Sequence, residues 1–253
     1  MNIGLLQYSP AWEDKEVNKK KITGILHQNK TKIDLLIFPE MTLTGFSMKS
    51  KQLCEGIDGD SFNYFKDLAK SIQINIITGI IFSEDNKIFN SSVFINKNGE
   101  VKSIYKKIHP FTFSTEDKNY SAGEKIEIAE CENWKIGLSV CYDLRFPELY
   151  RFYAKRRVEL LTVIANWPVD RIEHWRYLLK ARAIENQCYV AGVNRIGDTG
   201  NLKYNGYSSV FDPMGKEIVS VENEEKIVIA DINIDEVKKV RKNLPFLDDI
   251  ILI

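Results

Sequence analysis

Residues 135–165 of the chain read KIGLSVCYDLRFPELYRFYAKRRVELLTVIA, and this segment carries the clearest signal of the chain topology. Residues 135–140 and 160–164 are short apolar runs, rich in β-branched side chains, with the length of buried strands. Between them, Pro147 suits the first turn of a helix, and an apolar stripe follows it. A strand, a helix and a second strand in this order predict a βαβ unit.

The same alternation extends over the rest of the chain. Residues 14–28 have the apolar period of a helix, and a second amphipathic helix is predicted to begin with Ser61 as its N-cap. Residues 96–99, Asn-Lys-Asn-Gly, predict the turn of a β-hairpin. Because hairpins interleave with βαβ units, we predict an α/β fold with two packed sheets flanked by helices.

Composition places the chain among ordinary globular proteins. Of its 253 residues, 44% are hydrophobic and 28% are charged. The 35 basic residues balance 35 acidic ones, which argues against a nucleic-acid binder with a broad basic face. No linker or repeat divides the sequence, so we predict one domain over residues 1–253. No apolar run has the length of a membrane span and no basic leader is apparent, so the expected location is the cytoplasm.

The sequence contains no familiar cofactor signature. It has neither a G-x-G-x-x-G nor a P-loop motif, which argues against a nucleotide site. Its four cysteines include no C-x-x-C pair and its three histidines no H-E-x-x-H motif, so a disulfide scaffold and a zinc site are both poorly supported.

Three segments place reactive side chains at strand ends. Glu40 follows a predicted strand, Lys106 and Lys107 end another, and Cys141 lies between a strand and a helix. A strand-to-helix turn exposes its side chain, and the backbone N–H groups there can lower a thiol pKa and hold a negative oxygen. With Glu40 as base and Lys107 facing the oxyanion, these groups suit attack on an amide carbonyl through a thioester.

Each of these residues also has a purely structural interpretation. A lone Cys after a strand, such as Cys141, is more often an inert buried thiol, and Glu40 suits a helix cap or a solvated carboxylate. The two lysines suit a solvated pair. A thiol protease that pairs Cys141 with His109 or His174 is a rival enzyme class, and a non-catalytic binding module is a rival of another kind.

At these segments the chain resembles the nitrilase, or carbon–nitrogen hydrolase, superfamily. Phe38-Pro39-Glu40, Tyr105-Lys106-Lys107-Ile108-His109 and Val140-Cys141-Tyr142-Asp143 occur in the order in which that family carries its Glu, Lys and Cys motifs. The similarity continues through Ala-Asn-Trp-Pro at 165–168 and Ala-Arg-Ala-Ile-Glu-Asn-Gln at 181–187. These strings look most like the bacterial ω-amidase branch.

The resemblance implies a four-layer α-β-β-α sandwich that forms a homodimer and uses no metal or organic cofactor. It implies that Glu40 is the general base, Cys141 the nucleophile and Lys107 the group that stabilises the oxyanion, with the N–H of Tyr142 as second donor. Glu116 matches a further family carboxylate that orients Lys107 and the substrate, although a solvated loop carboxylate is the structural alternative. Two carboxylates beside Lys107 would keep it charged.

The ω-amidase branch implies a short α-keto acid amide such as 2-oxoglutaramate or 2-oxosuccinamate as substrate. Its carboxylate needs a paired cation, for which Arg145, Arg171 and Arg195 are candidates, although each also suits a structural ion pair. Trp167 is a candidate pocket wall or a core aromatic residue.

Two departures from the family pattern affect these expectations. Pro110 replaces the usual Leu after the Lys motif, so the path of the loop that follows is open. Tyr142-Asp143 replaces the Trp-Glu common in nitrile-hydrolysing members, which favours an amide. A nitrilase and an N-carbamoyl hydrolase remain alternatives on the same triad.

Overall fold

The computed structural model describes residues 1–29 and 31–252. Its α-helices are α1 (Lys15–Gln28), α2 (Ser50–Leu53), α3 (Asp60–Ile72), α4 (Glu116–Asn119), α5 (Pro147–Lys155), α6 (Ile172–Asn186) and α7 (Ile234–Asn243). Its strands are β1 (Asn2–Gln7), β2 (Leu35–Ile37), β3 (Asn75–Glu84), β4 (Lys87–Ile95), β5 (Val101–Lys106), β6 (Ile128–Cys131), β7 (Trp134–Val140), β8 (Leu160–Ala165), β9 (Tyr189–Asn194), β10 (Ile196–Thr199), β11 (Leu202–Phe211), β12 (Glu217–Glu222) and β13 (Lys226–Asp231). Short 3₁₀ helices cover Thr112–Ser114, Cys141–Arg145, Val169–Arg171 and Phe246–Asp249.

The strands form two mixed sheets of similar design. The first has the order β13-β1-β2-β3-β4-β5, with β1, β2 and β3 parallel. The second has the order β10-β11-β9-β8-β7-β6, with β12 paired to β11 and with β7, β8 and β9 parallel. The βαβ unit predicted around Cys141 is β7–α5–β8, which confirms the interpretation of that stretch.

The two sheets pack face to face, and helices cover their outer faces. Ile3 of the first sheet and Leu138 of the second belong to one fully buried cluster between the sheets. A second cluster joins the first sheet to α1 and α3 through Ile22 and Phe62. A third joins the second sheet to α5 and α6 and includes Trp175. The predicted α-β-β-α layering is thereby confirmed.

The predicted N-cap of α3 is wrong by two residues. The cap is Gly59, and Ser61 lies inside the first turn. The Glu55 side chain takes over the capping role, because its carboxylate accepts hydrogen bonds from the N–H of Ser61 at 2.6 Å and from the Ser61 hydroxyl at 2.7 Å. A carboxylate at a helix N-terminus satisfies free N–H groups and opposes the positive end of the helix dipole.

The C-terminal helix α7 was not predicted from the sequence. Val237 is its one buried residue, and Ile234 and Val240, three residues to either side, are half-buried, so the helix has a short apolar stripe and its omission from the prediction was wrong. The Asn233 side chain caps it by accepting from the N–H of Asp235 at 3.0 Å. No helix in the described ranges is long and apolar enough to cross a membrane.

Candidate active site

The predicted catalytic residues meet where parallel strands end. Glu40 follows β2 by three residues, Cys141 follows β7 directly, and Asn166 follows β8 directly. Strand β2 belongs to the first sheet and β7 and β8 to the second, so carboxyl ends of parallel strands from both sheets meet at this site, and such ends are where α/β folds place ligands. Glu40, Lys107 and Cys141 line one cavity of about 240 Å³.

The lack of a side chain at Gly79 makes room for the turn that carries Glu40. A Cβ atom at Gly79 of β3 would lie 2.3 Å from the Met41 nitrogen and 2.8 Å from the Glu40 Cα. Only glycine therefore lets the turn lie this close to the strand. The Thr42 N–H donates to the Gly79 carbonyl at 2.9 Å, which fixes the turn at that distance.

Lys107 lies between two buried carboxylates. Its Nζ is 3.1 Å from Glu40 Oε1 and 2.8 Å from Glu116 Oε2, and all three side chains are almost fully buried. Burial by itself lowers the pKa of Lys107, but Glu116 and Glu40 outweigh it and hold that pKa above its ordinary value. Lys107 is therefore an ammonium, as two carboxylates beside it predicted, and Glu116 is buried in α4 against it and is not a solvated loop carboxylate.

Two asparagines complete the Glu40 environment. Asn90 Nδ2 donates to Glu40 Oε1 at 2.6 Å and to Glu116 Oε1 at 2.8 Å. The Asn166 N–H donates to Glu40 Oε2 at 2.8 Å. Both oxygens of Glu40 thus accept charge-assisted hydrogen bonds, which fix the carboxylate against rotation. Asn90 was not predicted, because it lies in the middle of β4 without a local motif.

Cys141 occupies a strained strand-to-helix turn. Its φ of 47° is in the left-handed region that non-glycine residues rarely adopt. The 3₁₀ turn that begins there leaves the Tyr142 N–H without an acceptor in its own helix. This arrangement presents a side chain and a free N–H together, as nucleophile turns do.

The structure corrects the expectation that helix-start donors lower the Cys141 pKa. Burial raises the pKa of this thiol well above its ordinary value, Glu40 raises it further, and Lys107 opposes them only in part. At neutral pH the resting group is a thiol, so attack by sulfur requires a base to remove the proton. Glu40 is the carboxylate that lines the same cavity.

Asp143 connects the Cys141 turn to the Lys107 strand. Its buried carboxylate accepts hydrogen bonds from the Val140 N–H at 3.0 Å, the Tyr105 hydroxyl at 2.8 Å and the His109 N–H at 3.0 Å. The His109 ring nitrogen Nδ1 also lies 2.8 Å from it. Neither His109 nor His174 lines the cavity, so the structure does not support the Cys–His protease alternative.

The four predicted substrate-binding residues line the same cavity: Tyr142, Arg145, Trp167 and Arg171. The Arg145 guanidinium lies 4.6 Å from the Trp167 ring centre, and Trp167 Nε1 donates to the Arg171 carbonyl at 2.7 Å. Within the described residues neither arginine has a carboxylate within ion-pair distance. Burial lowers the pKa of Arg145, and the charge of Arg171 lowers it further, which shows two cations close together.

The third candidate cation, Arg195, does not line the cavity. It is 1% exposed and packs behind Tyr204, a lining residue that was not predicted. Across residues 1–29 and 31–252, no cluster of three or more His, Cys, Asp or Glu side chains could hold a metal ion.

Comparison with known proteins places this geometry in a family. Residues 2–242 match the carbon–nitrogen hydrolase family. The chain belongs to that family. It is accordingly a hydrolase that acts on carbon–nitrogen bonds, and its sandwich is of the nitrilase type.

Individual relatives extend the match over the whole chain. A 2-oxoglutaramate amidase of Bacillus subtilis is 32% identical over 98% of this chain and 96% of its own length. The ω-amidase YafV of Escherichia coli is 33% identical with the same coverage of both chains. The crystal structure of the carbon–nitrogen hydrolase superfamily protein XC1258 from Xanthomonas campestris, which holds an arsenic adduct in its active site, superposes with a TM-score of 0.94 at 33% identity, over 100% of this chain and 98% of that one.

Proposed function

We propose that this protein hydrolyses the terminal amide of a small ω-amide, such as 2-oxoglutaramate or 2-oxosuccinamate, to a carboxylate and ammonia. The observation that carries the proposal is that Cys141, Glu40 and Lys107 share one cavity with two arginines that lack a carboxylate partner among the described residues. The names of the Bacillus subtilis and Escherichia coli relatives support the same substrate class.

In the proposed first half-reaction Glu40 takes the proton from the Cys141 thiol as Sγ attacks the amide carbonyl carbon. The carbonyl oxygen becomes an oxyanion, which the Lys107 ammonium and the Tyr142 N–H stabilise. Collapse of the tetrahedral intermediate breaks the C–N bond, and the proton on Glu40 passes to the leaving nitrogen, which departs as ammonia. A thioester on Cys141 remains.

In the second half-reaction a water molecule hydrolyses the thioester. Glu40 takes a proton from the water as its oxygen attacks the thioester carbonyl, and collapse releases the carboxylic acid and returns the proton to Cys141. Throughout, Glu40 relays the protons, from Cys141 to the leaving nitrogen and then from water to Cys141, while Lys107 stays paired with Glu116. The buried charge of the cluster is therefore unchanged by each transfer, which avoids a desolvation cost in the cavity.

Arg145 and Arg171 are proposed to bind the carboxylate of the substrate. Two guanidinium groups close together and without an anion favour a negatively charged ligand, and they repel an α-ammonium group. Glutamine and asparagine should therefore be poor substrates compared with the corresponding 2-oxo amides. Trp167 and Tyr142 form walls of the same cavity.

We further propose that the protein acts as a cytoplasmic homodimer of one domain. Its four cysteines are free, which suits a reducing compartment. Exposed apolar side chains on α5 and α6, among them Tyr177 and Ile184, suit contact with a second copy. The two sheets share a single core, which supports one domain.

A liberated-ammonia assay tests the proposed activity. The wild-type protein is expected to release ammonia from 2-oxoglutaramate. In Cys141→Ala the rate of release should fall by about 10³-fold or more because the nucleophile is gone. Cys54→Ala is the matched control, since Cys54 is also partly exposed but lies outside the cavity. Full turnover by Cys141→Ala would contradict the mechanism, and preference for nitriles or N-carbamoyl amino acids in the same assay would assign the site to those substrates.

A further inference from the structure

One mostly buried tyrosine, Tyr204, has an accessible hydroxyl with no hydrogen-bond partner in the described part of the chain. The other buried tyrosines all have one for their phenol oxygen: Tyr8, Tyr105, Tyr120, Tyr150, Tyr153 and Tyr189. Tyr204 is 6% exposed, yet no hydrogen bond forms to its hydroxyl within residues 1–29 and 31–252. Its oxygen is not among the enclosed polar atoms that lack a partner, so it is open to the outside of the core, and its partner has to be water or a ligand.

Tyr204 lies at the active-site cavity. Tyr204 belongs to β11, pairs with Gly197 of β10, and lines the same cavity as Cys141, Glu40 and Arg171. Burial raises the pKa of Tyr204 to about 12, with Arg195 lowering it and Cys141 and Glu40 raising it. The phenol is thus protonated at neutral pH and lies within electrostatic reach of the reacting thiol.

Arg195 holds the Tyr204 ring from behind. Its guanidinium carbon lies 4.5 Å from the ring centre. Arg195 Nη1 donates to the Thr199 hydroxyl at 2.9 Å and Nε to the Ile196 carbonyl at 3.1 Å, while Nη2 has no partner in the described residues. This anchored cation packs against the ring and leaves Tyr204 little freedom to turn away from the cavity.

We propose that the Tyr204 hydroxyl donates a hydrogen bond to an oxygen of the bound substrate, beyond the amide that is cleaved, and that Arg195 positions the ring for it. The proposal rests on the proposed function, because it assigns a specificity-determining residue to that same cavity. Arg195 and Arg171 surround the phenol with positive charge, which favours a ligand acceptor over a ligand ammonium group. The ligand class is a small amide that carries a carbonyl or carboxylate oxygen further along its chain.

Tyr204→Phe tests this assignment because it removes only the hydroxyl. With 2-oxoglutaramate, kcat/KM is expected to fall about tenfold, mainly through KM, which is the size of one lost hydrogen bond to a ligand. With butanamide, which has no further oxygen, kcat/KM should be unchanged. Alkylation of Cys141 by iodoacetamide should also be unchanged, since the nucleophile and its base are intact.

Tyr207→Phe is the matched control. Tyr207 lies on the same strand and its ring is also covered by an arginine, with Arg176 at 4.4 Å, but it does not line the cavity. It should leave all three measurements at wild-type values. Equal losses with 2-oxoglutaramate and butanamide in Tyr204→Phe, or no loss with either, would overturn the inference.

A second measurement separates this inference from the proposed function. If the wild-type protein releases no ammonia from ω-amides, the proposed function fails, and protection of Cys141 from iodoacetamide by 2-oxoglutarate still tests Tyr204. About tenfold weaker protection in Tyr204→Phe supports the hydrogen bond. Equal protection in wild type and variant, or none in either, overturns it.

Discussion

The protonation of Cys141 depends on its immediate neighbours. Burial and the Glu40 charge raise the pKa of the thiol, while Lys107 remains an ammonium because its own pKa is raised by Glu116 and Glu40. A lysine with a raised pKa stays charged below its ordinary value of about 10.5, so it does not titrate in the neutral range. Chemistry at neutral pH therefore starts from a thiol, a carboxylate and an ammonium, with one proton to be shared between sulfur and Glu40.

This sharing predicts the pH dependence of alkylation. Between about pH 7 and pH 9 the rate of Cys141 alkylation by iodoacetamide should be nearly flat in the wild-type protein, because Glu40 removes the proton at every pH in that range. In Glu40→Gln the rate should instead rise with pH, since only hydroxide can then ionise the thiol. Hydrolysis by this variant should fall by about 10²–10⁴-fold. A wild-type rate that climbs tenfold per pH unit would show that Glu40 is not the base.

At the scale of secondary structure, Asp143 fixes the turn at Cys141 relative to the end of β5. It accepts from Val140 at the end of β7, from Tyr105 in β5, and from His109 in the loop after Lys107. The turn at Cys141 follows β7 of the second sheet, and Lys107 follows β5 of the first. The position of one relative to the other therefore depends on this buried carboxylate. Displacements of about 1 Å in such a site can cost about 100-fold in rate.

Asp143→Asn is therefore expected to lower kcat by about 10- to 100-fold with little change in KM, because an amide cannot accept from all of these donors. Tyr105→Phe, which removes a single donor, should cost about 1 kcal/mol of folding free energy and have a smaller effect on kcat. Steady-state kinetics and thermal unfolding of both variants give the comparison. A normal kcat in Asp143→Asn, with only a lower Tm, would mean that Asp143 stabilises the fold without positioning the site.

At the scale of the whole molecule, the outer face of α6 exposes two large apolar side chains. Tyr177 and Ile184 are 68% and 48% exposed and, seven residues apart, share one side of the helix. The neighbouring turn, residues 212–215, packs against Ile184, since a Cβ at Gly215 would lie 2.5 Å from that side chain. Met214 of this turn is 57% exposed, so the apolar surface extends beyond the helix.

In the proposed homodimer a second copy of the chain buries this surface, and a charged substitution should prevent that. Ile184→Glu is expected to convert a dimer into a monomer in size-exclusion chromatography with light scattering, because an unpaired carboxylate in an apolar interface is costly. Ile57→Glu, at a comparably exposed apolar residue (45%) that follows α2, should remain dimeric. A wild-type protein that is monomeric at micromolar concentration would contradict the homodimer.

Local sequence was sufficient for the βαβ unit around Cys141, the hairpin at residues 96–99 and the α-β-β-α layers, because apolar period and turn chemistry act over a few neighbouring residues. It also indicated Glu40, Lys107 and Cys141 as candidates beside strand ends, and the choice of Lys107 over Lys106 came from the family resemblance. The Glu55 cap of α3 could not be predicted in this way, since it depends on a tertiary contact. Helix α7 was overlooked although Ile234, Val237 and Val240 recur at a spacing of three.

The environment of the reactive groups was decided only by the tertiary structure. Asn90 and Asn166 reach Glu40 from 50 and 126 residues away, and Arg195 packs on Tyr204 from the residue between β9 and β10. No short motif records such contacts. The raised pKa of Cys141 likewise arises from burial and from Glu40, neither of which the residues around Cys141 encode. The sequence by itself determined which groups can react, and the packing of the two sheets determined their protonation and the cavity they share, because burial and long-range contacts exist only once the chain has folded.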